Sequence, residues 1–314
     1  MPDYYFSGLH IASEFALPGI PAWTGHGEPD VTIATGHVPD RLPGAHGNLF
    51  QVSGDSLVRV QFPRVGTFLL DSGQRVTVAA KPDAAPTDIA LFLLGSVFGL
   101  LCHQRGLLPL HASAVDIGGR AIAFTGDSGA GKSTTAAALV RRGHALLSDD
   151  ISVLDSSGDT LMLVSTSPKQ KLWGDSLRAL GLEAGARVRP QLDIDKFEHN
   201  ASSAFDAAPR PLAAICHLQT ASDDGRPMLE PIAGARALQG VRHNIYRLQA
   251  AQEMGKEQRL FLQSATIAAT IPQFILRRPA TLDGLESFAE AIADFFTPAT
   301  DDGVAAAAPT AQHG

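Results

Sequence analysis

The amino-acid sequence predicts an α/β fold in which a smaller β-rich domain precedes a larger domain of strands and helices. One observation is a strand–loop–helix order. The apolar run Arg120–Thr125 is typical of a buried strand, a glycine-rich loop follows, and residues 134–142 have helical composition before Gly143. The other observation is that residues before position 82 contain strand-like stretches separated by Gly, Pro and Asp.

Four such stretches suggest where the domains begin and end. They are residues 49–53, 57–62, 66–70 and 75–80. We therefore predict a β-rich domain over residues 1–82, joined by the link KPDAAP (residues 81–86) to a larger domain over residues 87–297. Residues 298–314 are rich in Ala, Thr, Pro and Asp, which predicts a disordered tail.

Composition and charge narrow the class of protein. Of 314 residues, 45% are hydrophobic and 18% are charged, which excludes a disordered chain. The net charge of −7 argues against a nucleic-acid partner. Two cysteines, Cys102 and Cys216, suit a reducing cytosol, and no signal peptide is visible. We expect a cytoplasmic protein, and the sequence leaves open whether it forms a homo-oligomer.

One apolar segment has the composition of a membrane helix. Residues 89–102 are almost continuously apolar, but this stretch of 14 residues is shorter than the roughly 20 that a bilayer requires. Asp88 and His103 bracket it. The segment therefore predicts a buried core helix and no membrane association.

The glycine-rich loop has the pattern of a phosphate-binding loop, GDSGAGKS. Its glycines allow consecutive backbone N–H groups to point at phosphate oxygens. Lys132, which we expect to face solvent, supplies charge to the β- and γ-phosphates, and the Ser133 hydroxyl can ligate Mg²⁺. The pattern predicts ATP and Mg²⁺ as cofactors. The residues expected to hold the nucleotide are Gly126, Asp127, Ser128, Gly129, Ala130, Gly131, Lys132, Ser133 and Thr134.

A pair of acids forms the second candidate feature. Asp149 and Asp150 interrupt the apolar run of residues 145–154, which predicts one buried strand. Burying two carboxylates is costly unless they serve a function. Adjacent side chains of a strand point to opposite faces, so one of the two could point directly at the γ-phosphate. The alternative is that the pair ends the strand in a polar turn.

A histidine precedes the loop at the start of a further strand. His111 lies in the segment LPLHASAV, at one end of a predicted hairpin that leads into the loop. A single histidine is more often structural than catalytic, but this position brings it towards the candidate phosphate site.

Together these motifs resemble those of the HPr serine kinase family. That family has a histidine strand, the sequence GDSGxGKS, a helix ending in RGH, and a strand with two acids. Here these correspond to His111, Gly126–Ser133, residues 142–144, Asp149 and Asp150. The resemblance covers residues 105–155 and implies an α/β P-loop kinase domain of the HPr kinase and phosphoenolpyruvate carboxykinase type, with ATP-dependent phosphorylation of a serine.

The resemblance also implies a role for each residue. Asp150 would accept the proton of the attacking hydroxyl. Asp149 would contact the metal ion, or would orient another residue that does so. His111 would position phosphate or the base. Lys132, with Mg²⁺ on Ser133, would neutralise the charge that develops during transfer.

The segment after the acid pair departs from the bifunctional family members. Residues 165–177 contain Lys-Leu-Trp and resemble HPr-kinase-like enzymes of lasso-peptide and other modified-peptide pathways, which implies a precursor-peptide serine as acceptor. The family's glutamate metal ligand has no clear counterpart. Basic residues in this region could hold a peptide carboxylate, or could form a solvated loop. They are Lys169, Lys171, Arg187, Arg189 and Lys196.

Further arginines could bind the triphosphate. The segment from Arg242 to Arg247, together with Arg259, resembles a helix with basic residues that could close on the nucleotide. The alternative is that these arginines are ordinary surface charges.

Several functions remain open from the sequence. The first is a kinase of a serine in a peptide or small protein. HPr-type and small-metabolite kinases are alternatives, and so is a regulator that binds nucleotide without transferring phosphate. The acid pair favours a kinase, because a regulator needs no carboxylate aimed at an acceptor hydroxyl.

Overall fold

Residues 3–80 form a seven-stranded sheet. The computed structural model describes residues 1–46, 50–54, 56–188, 194–221 and 228–297. In that part of the chain the sheet has the order β1-β2-β3-β7-β6-β5-β4. Its strands are β1 (Asp3–Phe6), β2 (Leu9–Ser13), β3 (Val31–Thr35), β4 (Phe50–Ser53), β5 (Leu57–Phe62), β6 (Gly66–Asp71) and β7 (Arg75–Ala80). Strands β4–β7 follow the predicted stretches, whereas the sequence analysis missed β1–β3.

A helical run connects this sheet to the rest of the chain. It consists of α1 (Pro86–Phe92), a π-helical turn (Leu93–Val97) and α2 (Phe98–Arg105). The run has 20 residues and extends beyond both ends of the apolar stretch of residues 89–102. Among the described helices it is the one long and apolar enough to cross a membrane, and 67% of its most apolar window is buried inside the protein.

The second sheet contains nine strands within the described residues. They are β8 (Leu108–Leu110), β9 (Ala112–Ile117), β10 (Arg120–Thr125), β11 (Ala145–Ser148), β12 (Ser152–Asp155), β13 (Met162–Val164), β16 (Arg210–Thr220), β17 (Leu229–Ile232) and β18 (Gln273–Arg278). The main path is β11-β9-β10-β16-β13-β12-β8, and β18 pairs with β16 and β17. Strands β10, β16 and β18 run parallel, so their carboxyl ends lie at one edge.

Helices and a hairpin surround this sheet. The hairpin-like pair is a separate two-stranded antiparallel sheet of β14 (Lys169–Trp173) and β15 (Lys196–Asn200), which is called the β14–β15 pair below. The helices are α3 (Lys132–Arg141), α4 (Gly174–Leu180), α5 (Gly234–His243), α6 (Leu248–Glu253), α7 (Glu257–Thr270) and α8 (Leu285–Phe296), with a short 3₁₀ turn at Ser202–Ala204. The fold is therefore mixed α/β with a β-rich N-terminal sheet. The predicted tail, residues 298–314, and Arg189 lie outside the described residues.

Strand β10 shows how the core is divided. Its alternating side chains face opposite sides of the sheet, as the pleat requires. Ala121 and Ala123 belong to a hydrophobic cluster that includes the N-terminal sheet and α2. Ile122 and Phe124 belong to a second cluster with α3 and α8. This burial on both faces holds the start of the following loop in place.

The run of residues 145–154 is divided differently from the prediction. It was expected to form one strand, but β11 ends at Ser148 and β12 begins at Ser152. Strand β11 pairs with β9, whereas β12 pairs with β8 and β13. The chain turns at Asp150, which has a left-handed φ of 71°. The acid pair therefore lies in a bend, as the alternative interpretation described.

Candidate active site

A cleft of about 750 Å³ lies at the carboxyl edge of the second sheet. The loop after β10 forms one side of it, and the bend between β11 and β12 forms another. Predicted residues that line it are His111, Ser128, Gly129, Gly131, Lys132, Ser133, Thr134, Asp149, Asp150, Lys171 and Lys196. The structure thus places most of the predicted site residues around a single cavity.

The loop has the backbone conformation that its glycines predict. Gly126, Gly129 and Gly131 have φ values of 137°, 86° and 99°, a region that disfavours other residues. A Cβ on Gly131 would lie 2.9 Å from the Arg278 side chain. Helix α3 begins directly afterwards at Lys132, so its positive dipole end faces the cleft.

Lys132 differs from the prediction that it faces solvent. Its residue surface is 7% exposed, and its Nζ donates hydrogen bonds to the carbonyl oxygens of Gly126 (2.7 Å) and Asp127 (3.1 Å). Burial lowers the pKa of Lys132, and the carboxylates of Asp150 and Asp149 oppose that shift. The loop backbone therefore holds the ammonium group inside the cleft.

The two acids have different surroundings. Asp149 is buried, and its carboxylate accepts hydrogen bonds from the Ser113 hydroxyl (2.6 Å) and the Lys171 backbone N–H (2.8 Å). Asp150 is part-exposed and forms an ion pair of 2.7 Å with the Lys171 ammonium. Because of the bend at Asp150, both side chains line the cleft, unlike neighbours on a regular strand.

Charge around Asp150 keeps it ionised. Burial acts to raise the pKa of Asp150, but the charge of Lys171, the neighbouring His111 ring and the hydrogen bond from Lys171 more than offset this and hold that pKa well below its usual value. The pKa of Lys171 is raised, since attraction to Asp150 outweighs its own desolvation. Lys171, predicted to hold the acceptor, is therefore the ionic partner of the candidate base.

His111 lies immediately before β9 and next to the bend. Its Nδ1 is 2.9 Å from the Asp150 carbonyl oxygen and 3.4 Å from Asp150 Oδ1. Burial, together with the charge of Lys132, lowers the pKa of His111 despite the nearby carboxylates. A neutral ring with Nδ1–H can donate to the Asp150 carbonyl and so support the bend.

Two residues at the loop were missed by the sequence analysis. Arg278, at the end of β18, donates from Nε to the Ala130 carbonyl oxygen over 2.6 Å and lines the cleft. The side-chain oxygen Oδ1 of Asn244 accepts a hydrogen bond from the Gly126 backbone N–H (3.0 Å). The backbone carbonyl oxygen of Asn244 accepts one from the His111 backbone N–H (2.7 Å). The order of parallel strands, which brings β18 beside the loop, is not visible in the sequence.

The arginines expected to close on the triphosphate lie elsewhere. Arg242 pairs with Glu257 at 2.6 Å, Arg247 donates to the Ser96 hydroxyl, and Arg259 packs against Gly106. None of these three arginines lines the described cleft. Their segment does contact the loop, but through Asn244 and through His243, whose Nε2 is 3.0 Å from Asp127 Oδ1.

Two of the three lysines predicted to bind the acceptor, Lys169 and Lys171, form ion pairs with acids of the protein. Lys169 forms an ion pair of 2.8 Å with Glu198 and does not line this cleft. Lys196 does line it and lies 5.9 Å from the Trp173 ring centroid. A carboxylate bound by Lys169 or Lys171 would have to compete with an acid of the protein itself.

The residues present are compatible with Mg²⁺. The described part of the chain contains no group of three or more His, Cys, Asp or Glu side chains arranged as a metal site. Protein-bound magnesium commonly has one or two carboxylates, several waters and the substrate phosphates as ligands. Ser133 and Asp149 both line the cleft, and each Asp149 oxygen can accept a further contact beyond its hydrogen bond.

The segment of the chain that contains most of this site is similar in sequence to a known protein family. Residues 107–182 match the model of the HPr Serine kinase C-terminal domain. This segment resembles an HPr kinase. It includes the loop, the acid pair, His111 and Lys171, and leaves the seven-stranded sheet, the helical run and residues 183–314 unmatched.

Individual relatives agree with this assignment. The chain is 45% identical over 117 residues to the HPr kinase/phosphorylase of Pelodictyon phaeoclathratiforme, covering 34% of each chain. It is 40% identical over 74 residues to that of Clostridium botulinum, covering 23% of each. The chain thus spans about a quarter to a third of these relatives' length.

A solved structure gives a weaker likeness. The Hpr(Ser) kinase/phosphatase from Coxiella burnetii superimposes with a TM-score of 0.34 at 14% identity, over 60% of this chain and 89% of that chain.

Proposed function

We propose that this protein is an ATP-dependent kinase that phosphorylates a serine hydroxyl of a small protein or peptide. The observation that carries the proposal is the single cleft that holds the phosphate loop, Lys132 and the ionised Asp150 together. The HPr kinase-like segment supports the same chemistry. A regulator without transfer would have no use for Asp150 at this place.

The chain's own residues suggest how transfer would occur. The loop N–H groups and Lys132 would bind the phosphates of ATP. The acceptor oxygen would form a bond to the γ-phosphorus while the bond to the bridging oxygen of ADP breaks. Asp150 would accept the hydroxyl proton. Because Lys171 weakens its basicity, that proton would move late, after bonding to phosphorus has acidified the hydroxyl.

Four further residues would support the phosphate loop and Asp150 during transfer. Asp149 and Ser133 would hold Mg²⁺, which supplies charge neutralisation at the phosphates when bound. His111 would hold the bend in place through its contact with Asp150, and Asn244 would hold the loop in place through its contact with Gly126. His111 is a positioning residue in this proposal.

The acceptor class is proposed from the relatives. Their names favour an HPr-type small protein over a lasso-type precursor peptide. The peptide interpretation rests on the Lys-Leu-Trp segment and on the basic residues near it. The test is incubation of the purified protein with ATP, Mg²⁺ and either recombinant HPr or a serine-containing precursor peptide. Mass spectrometry should show one phosphoryl group on a serine, with an equal amount of ADP. Nucleotide binding without ADP formation for any acceptor would instead indicate a regulator.

Replacing Lys171 by methionine should make the turnover number sensitive to acid. In the wild type, the pKa of Asp150 is held low, so its carboxylate stays ionised. Without the ammonium group, burial raises that pKa, and the ionised fraction falls as the pH is lowered. The turnover number, measured from about pH 5 to 8, should therefore decline on the acid side in the variant.

Lys169→Met is the matched control for this pH profile. It removes the neighbouring ammonium on the same strand, which pairs with Glu198 and not with Asp150. At the acidic end of the pH range, the turnover number of this variant should change with pH as that of the wild type does. If both variants shift equally, the effect comes from general charge and not from the Asp150–Lys171 pair.

A further inference from the structure

A second chamber of about 600 Å³ adjoins the phosphate-loop cleft. Leu91, Asp149, Asp150, Lys171 and Val188 line both cavities, so the two spaces meet at the acid pair. The second chamber lies between the N-terminal sheet, helix α1 and the β14–β15 pair, and no residue of the phosphate loop lines it. A group in this chamber can therefore reach Asp150 without occupying the space next to the loop.

The walls of this chamber are mainly apolar. Leu91 and Leu94 contribute from one face of the helical run, at a spacing of three residues, and both are only half-buried. Phe6 and Pro18 contribute from the N-terminal region, and Ile151 from the bend. Half-buried leucines around a cavity of this size offer contact area for an apolar ligand group.

The charges of the lining argue against an anionic ligand. The acids are Asp88, Asp149, Asp150 and Glu198, and the bases are Lys169, Lys171 and Arg187. Two of the bases are in ion pairs with acids of the same lining, Lys169 with Glu198 and Lys171 with Asp150. Because the lining has four acids and three bases, a phosphorylated or carboxylated metabolite would meet a net negative charge, which an uncharged group avoids.

We propose that this chamber binds a large apolar side chain next to the acceptor serine and thereby positions the serine hydroxyl at Asp150. The inference rests on the proposed kinase function and names its substrate class: a peptide or protein segment with an apolar residue adjacent to the serine. A chain can enter, because the chamber is bordered by exposed residues, among them Ala85, Thr87 and Ala186.

This inference gives the N-terminal sheet a part in the site. Phe6 ends β1 and packs edge-on against Phe98 of α2, with ring centroids 4.5 Å apart. The sheet and the helical run therefore hold the apolar wall as one unit. Much of the specificity for the acceptor would lie outside the segment that matches the family model, because Phe6, Leu91 and Leu94 precede it in the chain.

The test measures binding separately from phosphate transfer. Two uncharged peptides, N-acetyl-Leu-Ser-Leu-amide and N-acetyl-Ala-Ser-Ala-amide, are titrated calorimetrically into the protein saturated with Mg²⁺ and a non-hydrolysable ATP analogue. The leucine peptide should bind about 10- to 100-fold more tightly, as expected for extra methylene groups in an apolar pocket. Ala186→Trp, which fills the chamber from an exposed position, should abolish this preference.

Ala184→Trp provides the matched control. It adds the same ring in the same exposed loop, but Ala184 lines neither cavity, so the preference should persist. Equal binding of the two peptides, no binding of either, or equal effects of the two tryptophans would overturn the proposal. If 1-hexanol binds where neither peptide does, the chamber takes a small apolar alcohol and the proposal is wrong.

The same peptides also separate this inference from the proposed function. Incubation of each with ATP and Mg²⁺, followed by mass spectrometry, reports transfer. A leucine peptide that binds selectively but is never phosphorylated, while HPr is also unmodified, would contradict the kinase and leave the chamber assigned. Phosphorylation without a preference for leucine would contradict the chamber and leave the kinase.

Discussion

Replacing Lys132 by methionine should lower phosphate transfer by about 10²- to 10³-fold and weaken ATP binding, the loss seen when one preorganised charge is removed from a reacting group. The structure recommends methionine over alanine, because Lys132 is 7% exposed and alanine would leave a cavity beneath the loop. Methionine retains the length and apolar body of the side chain and removes the ammonium group.

Calorimetry with ATP and Mg²⁺, together with steady-state kinetics, checks this expectation. Lys81→Met is the control, because it removes an exposed lysine that does not line the cleft. Both variants should unfold within a few degrees of the wild type. Unchanged ATP affinity and turnover in Lys132→Met would mean that the triphosphate binds elsewhere.

Asp150→Asn should retain ATP binding and lose about 10²- to 10⁴-fold in turnover, the usual contribution of a general base. Asparagine has the size of aspartate and tolerates the left-handed backbone observed at this position, with φ of 71°. Its amide cannot accept the proton of the acceptor hydroxyl. The expected signature is a lower turnover number with a nearly unchanged dissociation constant for ATP.

The ion pair with Lys171 requires a second variant. Asp150→Asn leaves the Lys171 ammonium without its partner, and removal of one member of such a pair destabilises a protein. The double variant Asp150→Asn with Lys171→Met removes both charges, so it should regain thermal stability without regaining activity. If activity returns with stability, Asp150 acts through the fold and not as a base.

Two further variants test whether the loss of turnover is specific to Asp150. Asp116→Asn removes an acid of β9 that pairs with Arg210 at 2.6 Å outside the cleft, and it should leave turnover unchanged. Asp149→Asn should instead raise the concentration of Mg²⁺ needed for half-maximal activity. Equal losses in Asp149→Asn and Asp150→Asn at saturating Mg²⁺ would contradict the separate roles proposed for the two acids.

Local sequence information was sufficient for the phosphate loop. The strand Arg120–Thr125 and the helix that follows were predicted within two residues, because glycines, apolar runs and the helix end are short-range signals. The same holds for β6 and β7, which alternate in burial between turn residues. Strands β1–β3 carry weaker signals and were missed.

The tertiary structure decided the details around the loop. The bend at Asp150 arises because β11 and β12 pair with different neighbours, and pairing partners lie far away in the chain. The same long-range pairing brings Arg278 to Ala130 and Asn244 to Gly126. Burial of Lys132 also depends on these neighbours, so the sequence pattern of the loop could not reveal it.

The phosphate loop, the acid pair and the α/β class could therefore be predicted from local patterns, since each depends on residues close together in the chain. The pairing of Lys171 with Asp150 and the apolar chamber beside this pair became visible in the folded protein alone. The chamber is built from the N-terminal sheet, the helical run and the β14–β15 pair, which are separated by up to almost 200 positions in the chain. Contacts between such distant segments depend on the packing of whole sheets and helices, which no local pattern of residues encodes.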